Sequence, residues 1–160
     1  MQVRVKGMAE VQALLRQLPQ AVRGDALREA ALEGAEVIRQ QAVANALKHK
    51  RTGTLAGDIH AEVAQESLGD RVVVHIGPGR KGWYGRLLEF GHAIVPAGQR
   101  RAARQARKAG TLAQQFGRVP PYPWLRPALD ARRREAAERV MRSLQRRIDR
   151  VLRRTGRRST

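Results

Sequence analysis

The segment Val119–Asp130 constrains the fold more than any other part of the chain, because it holds four of the seven prolines. Proline fixes φ and lacks a backbone N–H, so this segment predicts a rigid, extended connection rather than the interior of a strand or helix. We call it the strap. Tyr122, Trp124 and Leu125 lie among its prolines, and we expect these apolar side chains to be buried anchors that hold the last helix on the body.

The charge of the chain is strongly positive. Its 160 residues contain 32 Lys and Arg against 14 Asp and Glu, a formal net charge of +18. This balance favours a polyanionic partner, or an assembly whose other parts are acidic. Because the chain has no cysteine, disulfides, thiolate metal sites and a cysteine nucleophile are excluded. No run of about 20 apolar residues is present, and the N-terminus lacks the apolar core of a signal peptide, so we expect a soluble intracellular protein.

The part of the chain before the strap predicts an α+β fold. Val3 and Val5 alternate with polar residues, as in a half-buried strand. A short helix is expected over residues 8–18, and a long helix with small apolar residues at helical spacing over residues 20–48. Two strands are expected over residues 59–65 and 71–77. The prediction is a small antiparallel sheet of three to four strands, covered by the long helix.

After the strap, an apolar stripe predicts a long helix from Leu129 to about Arg154. Between Arg126 and Arg158 there are 13 arginines against four acidic residues. Residues 1–154 are therefore predicted to form a single domain with an Arg-rich C-terminal helix. Residues 155–160 are expected to fray as a basic tail.

A basic insertion is predicted over about residues 93–118. It contains no acidic residue, few large apolar residues and several glycines, so we expect a mobile loop that a partner orders. Its candidate DNA-facing or partner-facing cations are Arg100, Arg101, Arg104, Arg107, Lys108 and Arg118.

The residues that carry most enzymatic chemistry do not form recognisable motifs. The histidines lack metal-ligand spacing, and His60 and His75 are expected to form a cross-strand polar pair rather than a metal site. The turn Gly77–Gly82 has glycines and two cations, but lacks the Gly-Lys-Ser/Thr ending of a phosphate cradle. Serine and carboxylate arrangements of hydrolases are also missing. The sequence therefore predicts a protein without catalytic residues, cofactor or metal.

Three short motifs in order resemble a known family. They are Thr-Gly-x-Leu at Thr52–Leu55, Glu-Phe-Gly at Glu89–Gly91, and Pro-x-Leu-Arg-Pro-Ala-Leu at Pro123–Leu129. With the opening strand and the long Ala-rich helix, they resemble the gene-product-ten-like neck or tail-completion proteins of long-tailed bacteriophages related to the lambdoid phages. The chain has Trp124 where the family usually has Phe, a change that keeps an aromatic anchor.

The resemblance implies a structural virion protein, made in the host cytoplasm and located at the junction of head and tail. Small α+β subunits of this family form a ring, commonly a hexamer, around the DNA channel and contact neighbouring connector and tail proteins. In this interpretation Glu89 pairs with Arg126 within or between subunits, and the basic insertion reaches an adjacent ring or the DNA. A surface carboxylate without special function is the alternative for Glu89. The alternative function is a free-standing, sequence-independent nucleic-acid-binding protein.

Overall fold

The computed structural model of the chain describes residues 20–48, 52–65, 67, 71–95 and 97–156, together with residues 13 and 16. The strand expected at Val3 and Val5 and nearly all of the helix expected over residues 8–18 lie outside the described residues. The elements, in chain order, are α1 Gln20–Leu47, α2 Thr54–Gly57, β1 Ile59–Val63, β2 Val74–Pro78, α3 Gly85–Phe90, β3 His92–Ala93, α4 Arg100–Lys108, α5 Leu112–Phe116, β4 Arg118–Val119 and α6 Arg126–Gly156.

The two long helices α1 and α6 pack along each other and form most of the core. Near the start of α1, Ala26 and Ala30 pack against Met141, Leu144 and Ile148 of α6. At the middle, a Cβ added to Gly34 would lie 2.9 Å from the carbonyl oxygen of Ala136. The small residues of α1 therefore allow the two backbones to approach closely, as their spacing predicted.

The fold is α+β, and in the part of the chain that the structure describes each sheet has two strands instead of the predicted three to four. Strands β1 and β2 form an antiparallel pair with Ile59 opposite Pro78 and Val63 opposite Val74. The other described strands, β3 and β4, form a separate two-residue pair. Strand β2 also starts later than expected. The carbonyl oxygen of Val73 still accepts the Ala64 N–H at 2.9 Å, but the N–H of Val73 donates to the Ser67 hydroxyl at 3.0 Å and so is lost to the ladder.

The segment predicted as a mobile loop over residues 93–118 contains two helices, α4 and α5, in addition to β3 and β4. Helix α4 buries Ala103 and Ala106 and packs on α5, which in turn packs on β3. The prediction of a loop was wrong because it assumed that a segment needs large apolar residues to form packed helices. Alanine and arginine are both strong helix formers, and buried alanines are sufficient for a helix to dock closely.

The strap lacks regular structure only over residues 120–125, because β4 ends at Val119 and α6 begins at Arg126. The residues of the strap after Leu125 are therefore helical, contrary to the prediction. Pro127 is tolerated there because the N–H groups of a first helical turn have no intrahelical acceptor. At the other end, α6 extends to Gly156, two residues into the segment expected to fray. Among the described helices, none has a stretch long and apolar enough to cross a membrane.

Candidate functional site

The strap is fixed to the body at Trp124, which is only 3% exposed. Its indole Nε1 donates a hydrogen bond to the Gly85 carbonyl oxygen at 3.0 Å. Its own carbonyl oxygen accepts one from the Asn45 side chain at 3.0 Å. The indole packs in an apolar cluster with residues of α1, α2 and β1. Trp124 therefore joins the strap to elements from most of the chain.

Glu89 of α3 is the principal acceptor for the backbone of the strap. Its carboxyl group is 5% exposed, and Oε2 accepts hydrogen bonds from the N–H groups of Trp124 at 2.7 Å and Leu125 at 2.9 Å. Its Oε1 accepts one from the N–H of Arg126 at 3.0 Å. A carboxylate at this position satisfies donors at the N-terminus of α6 and interacts favourably with the helix dipole. Glu89 is thus a buried cap rather than a surface carboxylate.

Arg126 lies beside Glu89 within the same subunit, with its Nε 3.6 Å from Oε1 of the carboxylate. Its guanidinium carbon also lies 4.5 Å from the centroid of the Phe90 ring. The Arg126 side chain is largely exposed, so this ion pair contributes little compared with the three backbone hydrogen bonds of Glu89.

Gly91 allows the strap to approach α3 closely. Its φ of 68° and ψ of 168° fall in a region that is essentially restricted to glycine. An added Cβ would lie 2.6 Å from the carbonyl oxygen of Val119 and 2.9 Å from the nitrogen of Pro121. The Tyr122 N–H donates to the Leu88 carbonyl oxygen at 2.8 Å in the same region. The Glu-Phe-Gly motif therefore supplies both the cap and the space that the strap requires.

The Thr-Gly-x-Leu motif reaches the same place through Leu55, which is buried in the cluster around Trp124. Gly53 has a φ of 78°, the left-handed conformation that glycine favours. A Cβ on Gly85 would lie 2.6 Å from Cδ1 of Leu55 and 3.3 Å from Cζ2 of Trp124. The three motifs therefore pack together at Trp124, with Gly85 between them. Sequence reasoning missed Gly85, because nothing local indicates that it faces an indole.

A cleft of about 440 Å³ opens beside this junction, lined by Leu55, Tyr84, Leu88, Tyr122 and Trp124 among others. Tyr122 was predicted to be buried, but it is 44% exposed, because its ring lies along the cleft instead of entering the core. Trp124 is buried, and Leu125 is partly buried against the same cluster. Trp83, which precedes α3, and Phe90, its last residue, are 67% and 51% exposed.

The glycine-rich turn after β2 surrounds a carboxylate of the chain itself. The Gly82 N–H donates to Oδ2 of Asp58 at 2.5 Å, and His60 Nε2 lies 3.1 Å from Oδ1. The Gly82 hydrogen bond, followed by the one from His60, holds the pKa of the Asp58 carboxyl below its ordinary value. The turn therefore holds an internal carboxylate.

The predicted pairing of His60 with His75 was wrong, because the strand register places His60 opposite Gly77 and His75 opposite Glu62. His60 instead contacts Asp58. In the described ranges, no group of three or more His, Asp and Glu residues could hold a metal ion.

Two groups of basic residues differ in their contacts. Several arginines of α6 contact α1: Glu33 accepts hydrogen bonds from Ser143 at 2.8 Å, Arg147 at 2.9 Å and Arg146 at 3.0 Å, and Arg147 also bonds Glu29. The candidate cations of the insertion are all exposed, namely Arg100, Arg101, Arg104, Arg107, Lys108 and Arg118. Arg118 donates to the Phe90 carbonyl oxygen at 3.1 Å, while the other five lie together on α4.

The comparisons with known proteins identify one family. Residues 9–91, which are 83 of the 160 residues, match the model of the family described as "Bacteriophage HK97-gp10, putative tail-component". No curated protein and no solved structure matches the chain significantly. The matched range includes two of the three motifs that meet at Trp124, the Thr-Gly-x-Leu turn and Glu-Phe-Gly. The chain therefore belongs to the bacteriophage HK97-gp10-like family.

Proposed function

We propose that this protein is a structural component of a bacteriophage virion that forms a homo-oligomeric ring at the junction of head and tail. Family membership is the observation that carries the proposal, since the matching family is one of tail components. The ring surrounds the DNA channel and links the connector to the tail. We expect it to be a hexamer, as is common in the family that the three motifs resemble. The protein turns over no substrate in this role, and its place is the virion.

The distribution of charge supports a position beside DNA. After Gly91 the chain has 19 Lys and Arg against four Asp and Glu, whereas up to Gly91 it has 13 against ten. The family match ends at Gly91, so the excess positive charge lies almost entirely outside the matched range. A ring that encloses duplex DNA has to stabilise closely spaced phosphates without reading bases, for which a high density of arginine is suited.

The exposed aromatic surface around α3 supports assembly with other protein subunits. All six aromatic residues of the chain lie between Trp83 and Trp124, and Trp83, Phe90 and Tyr122 are substantially exposed. Arg126 stacks on Phe90 in the same region. Aromatic residues and arginine are enriched at protein interfaces and often dominate their energetics. This surface is consistent with contacts between neighbouring subunits of the ring or with an adjacent ring.

The test is to locate the protein in purified particles. Peptide analysis of mature particles should detect it, and imaging at the portal vertex should show a ring of density that accommodates this fold. Absence from mature particles, or a position remote from the portal vertex, would contradict the proposal.

The second candidate is a free-standing, sequence-independent nucleic-acid-binding protein, which the five exposed cations of α4 favour. Such a protein would bind DNA in infected-cell extracts and would not sediment with particles. Co-sedimentation therefore separates the two functions, because a ring subunit remains with the particle even where it also contacts DNA.

A further inference from the structure

The outer face of α4 concentrates positive charge. Five of its nine residues are cations, and all five are exposed: Arg100, Arg101, Arg104, Arg107 and Lys108. At 3.6 residues per turn they occupy an arc of about 120°. Ala103 and Ala106 lie on the opposite side of the helix and are buried. The helix is thus held by its alanine side, and its cationic side faces away from the protein.

Among the described residues, these charges have no acidic partner. No Asp or Glu occurs from Phe90 to Leu129, and in the described ranges no ion pair joins the five cations to a carboxylate. Arg100 and Arg101 also lie in the first turn of α4, where positive charge opposes the helix dipole. In contrast, Arg146 and Arg147 of α6 are paired with Glu33. The α4 face therefore carries a repulsion that an external polyanion would relieve.

The chemistry of the face favours a duplex phosphate backbone over other polyanions. The basic arc has no aromatic residue on which a single-stranded base could stack. It also has no apolar centre of the kind found in protein–protein interfaces. The guanidinium group forms paired hydrogen bonds with phosphate oxygens. Helix α4 is about 13 Å long, a distance over which duplex DNA presents several phosphates.

We propose that the outer face of α4, through Arg100, Arg101, Arg104, Arg107 and Lys108, binds the phosphate backbone of double-stranded DNA without reading its sequence. That the bound duplex is DNA rather than RNA rests on the proposed function at the DNA channel. The contact is electrostatic, so its affinity falls with salt, and five phosphate contacts give a slope of log affinity against log salt of about −4.5.

The experiment compares the full-length protein with two triple variants in binding to a mixed-sequence duplex between 50 and 200 mM salt. The test variant is Arg100→Gln, Arg101→Gln, Arg104→Gln. The control is Arg134→Gln, Arg150→Gln, Arg153→Gln, which removes the same charge from exposed positions of α6. Glutamine has nearly the helix propensity of arginine, so both variants should keep their helices, which circular dichroism checks.

In the α4 variant we expect the slope of log affinity against log salt to decrease in magnitude by about 2.7, and in the control variant by much less. For five contacts, the fall in affinity over this salt range is about 500-fold, and with two contacts left it is about 12-fold. Equal losses in both variants would show that only net charge matters and would overturn the site. An unchanged α4 variant would overturn it too.

Polyglutamate of matched charge serves as a mimic of an acidic protein. If it competes as well as duplex DNA, the face recognises acidic protein and the phosphate assignment is wrong. These measurements use purified protein, so their failure leaves the ring at the head–tail junction intact. Conversely, absence of the protein from particles would contradict the ring without affecting binding by α4.

Discussion

The Glu89 carboxylate lies 2.7 Å from the backbone nitrogen of Trp124, a residue 35 positions further along the chain. Through this contact, a short helix orients the first turn of the longest helix. The same carboxylate accepts the N–H groups of Leu125 and Arg126. The direction in which α6 leaves the strap is therefore fixed by one buried side chain.

Replacing Glu89 should destabilise the fold. Glu89→Gln places an amide NH₂ group where one oxygen now accepts a backbone N–H, so we expect a loss of about 1–3 kcal/mol in the free energy of unfolding. Glu89→Ala leaves all three N–H groups without this acceptor and should cost more. Urea unfolding measures both. Glu138→Gln, at an exposed position of α6, is the control and should change stability by less than about 0.5 kcal/mol. A Glu89→Gln variant as stable as this control would contradict the role of Glu89 as a cap.

A comparison with Gly117 separates two effects of an alanine at Gly91, the steric contact with the strap and the backbone strain. Gly117 has a similar conformation, with φ 80° and ψ 177°, but its added Cβ would meet only Cδ1 of Ile94 at 3.7 Å. Both Gly91→Ala and Gly117→Ala should therefore pay a similar conformational cost of about 1–3 kcal/mol. Gly91→Ala must in addition displace backbone atoms of the strap, so it should unfold at clearly lower urea concentration. Equal midpoints for the two variants would argue against a tight contact between Gly91 and the strap.

Two glycines of α1 should respond in opposite directions to alanine. Gly24 has open space around its Cβ position, so Gly24→Ala should stabilise the protein by up to about 1 kcal/mol through helix propensity. Gly34 faces Val140 and the backbone of Ala136, so Gly34→Ala should force α1 and α6 apart and destabilise the protein. Thermal unfolding of the two variants tests this contrast. Stabilisation by Gly34→Ala would show that the helices do not approach each other as closely as the structure indicates.

The Asp58 carboxylate should make the stability of the hairpin region depend on pH. Because the folded protein lowers the pKa of Asp58, its contribution is fully present above the unfolded value near about 4 and is lost as the pH falls through the folded value. Asp58→Asn should thus be less stable than the natural protein near neutral pH, and this difference should shrink on acidification. His60 faces the same carboxylate, so His60→Gln should reduce the effect. Urea midpoints over a pH series measure this pH dependence. A stability difference between Asp58→Asn and the natural protein that stays constant down to low pH would contradict the prediction.

The exposed aromatic surface should matter for assembly rather than folding. Trp83→Ser removes a side chain that is 67% exposed, so the unfolding free energy should change little. Incorporation into particles should fall if Trp83 contacts a neighbouring subunit. Val22→Ser, at an exposed position of α1, is the control. Normal incorporation of the Trp83 variant would exclude this residue from the interface.

The helices could be predicted well where their determinants are local. The expected long helix over residues 20–48 is α1 at Gln20–Leu47, and mostly small apolar residues recur in it at helical spacing from Leu27 to Ala46. The C-terminal helix was placed three residues too late. Its first turn is stabilised by Glu89, and nothing near Arg126 in sequence indicates that carboxylate.

The junction at Trp124 was only partly predictable. Its three motifs are visible in the sequence, and the burial of Trp124 follows from its size and setting. The contact of Gly85 with the indole and the space that Gly91 provides for the strap depend on packing between distant segments. The exposure of Tyr122 was missed for the same reason, since proline spacing does not determine which aromatic ring enters the core.

The pairing of α1 with α6 also sets the order of events during synthesis. Helix α1 is complete at Leu47, and the residues that cover its second half follow soon after it, but those that cover Ala26 and Ala30 lie between Val140 and Val151. At translation rates of about 5–20 residues per second, this first half of the alanine face has to wait several seconds on the ribosome for its partner. Helix α6 is therefore the element that closes this part of the core, long after α1 has been made.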